Sequence, residues 1–382
     1  MIVIVGAGLI GLSLAFELAR RGADVRVIDA REPGSGASWA GAGMLAPHTE
    51  AIENDAFARF CAESFARYPA FVDAVREAGG VDARLHLDGI LDAAFDDAGV
   101  ARTKARIGAL RAKGLGARWL ERDDVLALEP AFGSRVRGAA LSEEEGHVDN
   151  RRLGRALLAA CAALGVVVDA KAGDVALEAD ARRALGVRGP LGFVPADAVV
   201  NASGAGAGAL AGVPERARVH VVPVKGQMLA LAVPRNFVRR VVWIPGDAQI
   251  AHPYLVPRDD GRLLAGATVE PGCGDTVVTA RGVSALLSAA LAAMPALGDF
   301  AVAETWAGVR PGSPDGLPYL GETAVRGYFV ASGHFRNGIL LAPATAVALA
   351  GALEGKPDTV PAAFDPRRAQ EAAAATTNIR AS

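Results

Sequence analysis

Four apolar residues, Ile2 to Val5, run without a polar interruption and then give way to glycines, which predicts a buried strand ending in a turn. From Leu9 to Arg21 the apolar positions Ile10, Leu14 and Leu18 recur at helical spacing, and Asp24 to Asp29 predicts a second strand, so the chain opens as a strand–helix–strand unit. Ala56 to Ala78 predicts a helix with Phe57, Phe60, Phe65, Phe71 and Val75 on its buried face; Pro69 is expected to kink or divide it. Arg151 to Leu164, where Leu153, Leu157, Cys161 and Leu164 share a face, predicts a further helix, followed by a strand at Val166 to Val168.

Between these units the texture changes. Residues 219 to 269 contain VHVVPVKGQMLALAV, VVWIPG, YLVPR and GRLLAGATV, β-rich segments punctuated by glycine and proline, which predict an antiparallel sheet. The first texture returns with a strand at YFVAS, the turn GHFRNG and an apolar helix from Ile339 to Leu353. A nucleotide domain interrupted by a sheet domain is the expectation. The Ala-rich tail after Arg368 is expected to fray.

At 382 residues and 51% hydrophobic content, the chain can bury a full core, with length for about two domains. Its net charge of −2, without long Lys/Arg clusters, gives no electrostatic footprint for nucleic acid or an acidic membrane surface. No apolar run approaches the roughly 20 residues that span a bilayer. Cys61, Cys161 and Cys273 lie far apart, without CxxC or zinc-ligand spacing, so no metal site is expected and all three read as reduced core residues. The glycine motif starts too near Met1 for a signal peptide, and a cytoplasmic location is expected.

The candidate chemistry begins at VIVGAGLIG. Gly6, Gly8 and Gly11 have the spacing GxGxxG between a strand and a helix, and Asp29 ends the next strand. Gly6 suits a tight turn, Gly8 the approach of a pyrophosphate and Gly11 close helix–strand packing. The helix amino end offers N–H donors and partial positive charge. Asp29 suits a ribose and disfavours a 2′-phosphate. NAD and FAD share this fingerprint, and the motif does not choose between them.

Arg310 in AGVRPGSPDG and Arg336 in GHFRNG lie between glycine-rich turns and apolar strands, where a planar guanidinium could grip a carboxylate; a structural ion pair is the alternative. Tyr254 in HPYLVPR suits a hydroxyl donor or ordinary packing, and His252, two residues before it, would share its strand face. Met44 in AGAGML suits a cofactor contact or plain core.

The segments GASWAGAGMLAP, GHVDNRRLGRALL, VVNASGAGA, WAGVRPGSPDGLPYLG and GHFRNGILLAPATA resemble the FAD-dependent D-amino acid oxidase superfamily, and most of all its glycine oxidase branch. The resemblance runs from Ile2 to about Leu353. It implies an α/β fold in which a Rossmann-like FAD domain (1–80, 146–215 and 310–365) is joined to an antiparallel substrate domain (81–145 and 216–309), with 366–382 as a tail. It implies cofactor contacts at Gly6, Gly8, Leu9, Ile10, Gly11, Asp29 and Ala30, at Ala37, Ser38, Ala42, Gly43 and Met44, and at Val175, Ala202, Ser203 and Gly204. A last group comprises His334, Phe335, Arg336, Asn337, Gly338, Ile339 and Leu340. Arg310 matches the carboxylate-binding arginine, Arg336 a second arginine near flavin and substrate, and Tyr254 the active-site tyrosine; His252 and Val269 would line the same pocket.

The resemblance further implies hydride transfer from a neutral amino acid to FAD, release of the imine and its hydrolysis to the oxo acid and ammonia, and reoxidation of the flavin by O2, which becomes hydrogen peroxide. No general base is required. GSPDGLPYLG lacks the cysteine by which sarcosine oxidases attach flavin, so non-covalent FAD is expected. Val269 stands where the glycine oxidase pattern has methionine, which would widen the pocket toward sarcosine or small D-amino acids. A homotetramer is common among such proteins. The rival readings are an amine dehydrogenase with another acceptor, an NAD-dependent reductase and a non-catalytic dinucleotide sensor.

Overall fold

The strand Ile2–Val5 is buried between two apolar layers, and its residues alternate between them. Ile4 packs with the helices Leu9–Arg20, Asp55–Gly79, Asn150–Ala163 and Gly338–Leu353, whereas Val3 and Val5 face Val187, Val194 and Leu210 on the other side. A strand covered on both faces has no polar side, which is why it reads as an unbroken apolar run. The structure, a computed structural model, describes residues 1–48, 55–112, 115–246, 250 and 252–369. The tail expected to fray lies, from residue 370 on, outside them.

Among the described residues Ile2–Val5 belongs to a six-stranded sheet in the order Tyr319–Glu322, Tyr328–Ser332, Ala198–Asn201, Ile2–Val5, Val25–Ile28, Val167–Asp169. All its neighbours run parallel except the first pair. On either side of Ile2–Val5 the chain departs in opposite directions, so a crevice opens beyond the carboxyl ends of the central strands.

A second sheet of nine strands contains all four β-rich segments of residues 219–269. Its long strands Val222–Ala232 and Val302–Gly312 pair antiparallel, and Arg262–Gly266 and Tyr254–Pro257 continue the sheet antiparallel. One departure from the expected pattern is the parallel pair of Val241–Trp243 with Ile90–Ala94, contributed from far upstream. Leu229, Leu231, Leu255 and Leu263 face the helix Ala280–Ala293, while Met228, Tyr254 and Trp306 face Ala40, Ala42 and Ala46. This alternation aims one face of the second sheet at the first unit.

Several local expectations need correction. Pro69 does not divide the helix Asp55–Gly79, which runs through it: the residue is exposed and the carbonyl it leaves unpaired can reach water. Phe65 and Phe71 are only partly buried; Cys61, Ser64 and Tyr68 complete the face instead, with the Tyr68 hydroxyl donating to the Ile339 carbonyl at 2.8 Å. Leu164 caps its helix and is 40% exposed. Cys61 and Cys161 are buried as expected, but Cys273 is half-buried in a loop, its thiol donating to Asp275 at 3.1 Å. Among the described residues no helix is long and apolar enough to cross a membrane.

Candidate active site

The crevice beyond the parallel strands is a cleft of about 930 Å³. Val5 and Gly6, Ile28 and Asp29, Ala202 and Ser203, and Ala331 and Ser332 border it at the carboxyl ends of four strands. Gly6 has φ +110°, and a Cβ there would fall 2.5 Å from the Ala202 carbonyl oxygen, so the turn accepts only glycine. A Cβ on Gly11 would overlap the Gly6 carbonyl, which brings the helix Leu9–Arg20 down onto the turn. Gly8, Leu9 and Ile10 then present their helix amino end to the cleft. That end has no acidic residue in its first turn, and neither has the helix Gly338–Leu353, whose Gly338 and Ile339 also border the cleft. Two positive helix ends facing one cavity suit an anionic ligand.

Asp29 has a further task that sequence reasoning did not assign. Its Oδ2 accepts the Ala7 N–H at 2.7 Å and its Oδ1 the Arg31 N–H at 2.8 Å, so it fastens the glycine turn while bordering the cleft. Asn201 plays the same part in VVNASG. Its amide donates to the Ala207 carbonyl and the Tyr328 hydroxyl, both at 2.9 Å, and its Oδ1 accepts the Ser203 hydroxyl at 2.6 Å.

Of the residues expected at a cofactor, Gly6, Gly8, Leu9, Ile10, Asp29 and Ala30 border the cleft, as do Ala37, Ser38, Val175, Ala202, Ser203 and Gly204. So do His334, Phe335, Arg336, Gly338 and Ile339. Ala42, Gly43 and Met44 instead line an adjoining smaller cavity. Gly11, Asn337 and Leu340 line neither. Gly11 acts through packing, Asn337 precedes the helix Gly338–Leu353 as its cap residue, and Leu340 is buried in the core. His334 is wholly buried, its Nε2 3.2 Å from the Thr345 hydroxyl, and burial pushes its pKa down to about 3. It is therefore neutral at physiological pH.

The smaller cavity, of about 100 Å³, brings together all five residues expected at a substrate: Arg310, Arg336, Tyr254, His252 and Val269. It shares Ala37, Gly41, Gly308, Arg310, Arg336 and Ile339 with the cleft, so the two spaces meet. The register of the second sheet explains part of this. Gly226 pairs with Gly308, Met228 with Trp306 and Tyr254 with Gly266, which sets Gly226, Met228, Tyr254, Gly308 and Arg310 on one face. A Cβ on Gly226 would fall 2.5 Å from Cζ of Arg310, so the guanidinium lies against bare backbone. From there Arg310 donates to the carbonyls of Thr268 at 3.1 Å and Lys225 at 3.4 Å. The Tyr254 hydroxyl donates to Sδ of Met228 at 3.4 Å.

His252 departs from expectation in one respect: it precedes the strand Tyr254–Pro257 and is exposed, and it reaches the cavity wall from a loop, its ring 5.9 Å from Trp243. Val269 is 42% exposed, so it forms the rim rather than the floor. Sequence reasoning missed Gly226, Met228 and Gly308 at the cavity and Asn150 and Arg258 behind it. Gly226 had a readable signal, a glycine within an apolar strand pattern, which marks close approach of another group. Arg258, next to Asp259 and Asp260, reads as a surface turn residue.

A glycine turn closed by Asp29, two helix amino ends and the bordering Arg31 fit a pyrophosphate-bearing dinucleotide. The chain matches the family model "DAO: FAD dependent oxidoreductase" over residues 1–352, and it belongs to this family of FAD-dependent oxidoreductases. The glycine oxidase of Geobacillus kaustophilus is 34% identical, with 93% of each chain covered, and that of Bacillus licheniformis is 33% identical over the same shares. The bifunctional protein ThiO/ThiG of Synechocystis is 35% identical over 96% of this chain, which spans 54% of that relative's length. Among solved structures, the G. kaustophilus glycine oxidase superposes with a TM-score of 0.88 at 34% identity, covering 96% of this chain and 97% of the other. The expected fold is thereby met.

Proposed function

We propose that the protein oxidises glycine, together with small amines such as sarcosine and small D-amino acids, to the imine, which water hydrolyses to the oxo acid and ammonia, and passes the electrons to O2 as hydrogen peroxide. For glycine the product is glyoxylate. The observation that carries this reading is the junction of the two cavities: a dinucleotide-sized cleft opens at Arg310 and Arg336 onto a space too small for a bulky amino acid. Relatives that are glycine oxidases over nearly their whole length support it, and the ThiO/ThiG relatives support a role in thiamin biosynthesis.

Bound FAD supplies the two-electron acceptor. The chain supplies position and charge. The Arg310 fork, held flat by Gly226 and oriented by the Thr268 and Lys225 carbonyls, grips the substrate carboxylate in two parallel hydrogen bonds. Tyr254 adds a hydroxyl donor, Arg336 a second cation at the junction and Met44 an apolar contact. With the carboxylate fixed, the Cα–H bond is held toward the cleft, and positioning replaces a general base. FAD is held without a covalent bond in a domain formed by residues 1–80, 146–215 and 310–365, and residues 81–145 and 216–309 form the substrate domain. The working assembly is a cytoplasmic homotetramer.

A peroxide-coupled screen of glycine, sarcosine and D-alanine on the yellow purified protein tests the reading. Stoichiometric peroxide with glycine is expected. Turnover seen only with an artificial acceptor would replace the oxidase with a dehydrogenase, and no turnover with any amine would end the proposal.

A further inference from the structure

The segment from Ser38 to Gly43 is the wall between the two cavities. Ser38 borders the cleft, Ala40, Ala42 and Gly43 the small cavity, and Gly41 both. The segment has little structure of its own, a single helical turn at Ala37–Ala40. Its carbonyls are held from outside. The Asn150 amide donates to Ser38 O at 2.7 Å and Trp39 O at 3.2 Å, and Trp306 Nε1 donates to Ala40 O at 2.9 Å. Arg258 Nη2 donates to Ala42 O at 2.8 Å, and the Val148 N–H to Gly43 O at 2.9 Å.

Two of these donors are themselves joined. Arg258 Nη2 also donates to Asn150 Oδ1 at 3.0 Å, and both residues are buried, 8% and 2% exposed. Arg258 follows the strand Tyr254–Pro257 of the second sheet, whereas Asn150 begins the helix Asn150–Ala163 packed on the first. One contact therefore ties the two layers and grips the wall at each of its ends. Ser38 extends the chain of bonds, because its Oγ accepts the Leu9 N–H at 2.9 Å, the first amide of the helix behind the glycine turn. Burial pushes the Arg258 pKa down to about 10, so the guanidinium is still charged at neutral pH. A buried guanidinium is costly to desolvate, and an apolar residue of its volume would pack there without that cost. What an apolar residue could not supply is the pair of directed bonds to Ala42 and Asn150.

We propose that Arg258 and Asn150 form a positioning pair that fixes the wall shared by the cofactor cleft and the substrate cavity, so that affinity at both sites depends on one buried contact. The substrate arm of this inference rests on the oxidase reading. The test therefore uses no turnover. FAD affinity is measured from flavin fluorescence on diluting the holoenzyme, and the affinity of acetate, a carboxylate probe for the small cavity, from its perturbation of the visible flavin spectrum. Arg258→Met and Asn150→Ala are each expected to weaken both affinities roughly tenfold, the loss expected of a charge-assisted hydrogen bond. Arg258→Lys, which keeps the charge and one donor, is expected to recover part of both.

Glu129→Gln is the control, since Glu129 is fully buried, lines neither cavity and accepts the Arg239 N–H at 3.0 Å. It is expected to lower Tm and leave both affinities alone. Should Arg258→Met fail to fold, Asn150→Ala decides, because it leaves the Arg258 bond to Ala42 in place. A lower Tm with both affinities within twofold of wild type would overturn the proposal, as would a change in one affinity without the other. A wild-type protein that binds FAD and acetate but oxidises no amine would end the oxidase reading and leave this test intact.

Discussion

The cleft and the small cavity meet at shared residues, yet they are built in different ways. The cleft is largely a backbone site: a glycine turn, two helix amino ends and strand termini arranged by a parallel sheet. The cavity is a side-chain site: the register of the second sheet sets Gly226, Tyr254 and Arg310 on one face, and Met44, Val269 and Arg336 reach it from other parts of the chain. A backbone site tolerates most side-chain changes and fails where a Cβ cannot fit. A side-chain site fails wherever its guanidinium loses its seat.

The largest effect that would separate the two comes from Gly6→Val. The positive φ and the Ala202 carbonyl leave no room for a side chain, so strain and overlap should cost about 3 kcal/mol or more and weaken FAD binding by roughly 100-fold. Flavin retained through gel filtration measures it; a yellow variant with wild-type FAD content would refute the backbone account of the cleft. Gly226→Ala should act on the other side alone. Displacing the Arg310 guanidinium should raise the KM for glycine about 30-fold, or ~2 kcal/mol, with FAD content unchanged, and steady-state kinetics on the flavin-loaded variant would expose any other pattern.

Acid should act on the cleft through His334. Its folded pKa of about 3 lies below the ordinary 6.5, so the unfolded chain binds more protons between these values and stability falls as pH drops through that window. Between pH 6.5 and 5 the loss is about 2 kcal/mol at ~1.4 kcal/mol per unit. Denaturant melts at both pH values should show a loss smaller by this amount in His334→Gln than in wild type, the remainder coming from groups such as His147, whose pKa burial also lowers; equal losses would remove His334 from the account. The smallest effect is expected at the cavity rim, where Val269→Met should shift the ratio of kcat/KM for glycine over sarcosine toward glycine by several-fold, about 1 kcal/mol. An unchanged ratio would take Val269 out of specificity.

The same contrast governs what could be read from the chain. The cleft was legible because GxGxxG, its strand, its helix and Asp29 all fall within 29 residues and each glycine answers a local steric demand. The cavity was legible only at the residues that sit inside distinctive motifs, Arg310 and Arg336 above all. Gly226 and Gly308 owe their importance to being paired across two strands about 80 residues apart, and neither strand alone states that pairing. Arg258 was illegible for a related reason: among charged turn residues, nothing in its surroundings marks the one side chain that turns inward to Asn150. Pro69 does not divide its helix because, on the exposed side, the carbonyl it leaves unpaired can reach water.

The central claim is that Arg310 holds a substrate carboxylate beside a cofactor site that does not depend on it. Glycine-dependent peroxide production, normalised to bound FAD, in wild type and in Arg310→Ala tests this most directly. The account predicts equal FAD content and a fall in kcat/KM of about 10² to 10³, the ~3–4 kcal/mol expected when one partner of a buried ion pair is removed. Undiminished peroxide production in Arg310→Ala would contradict it.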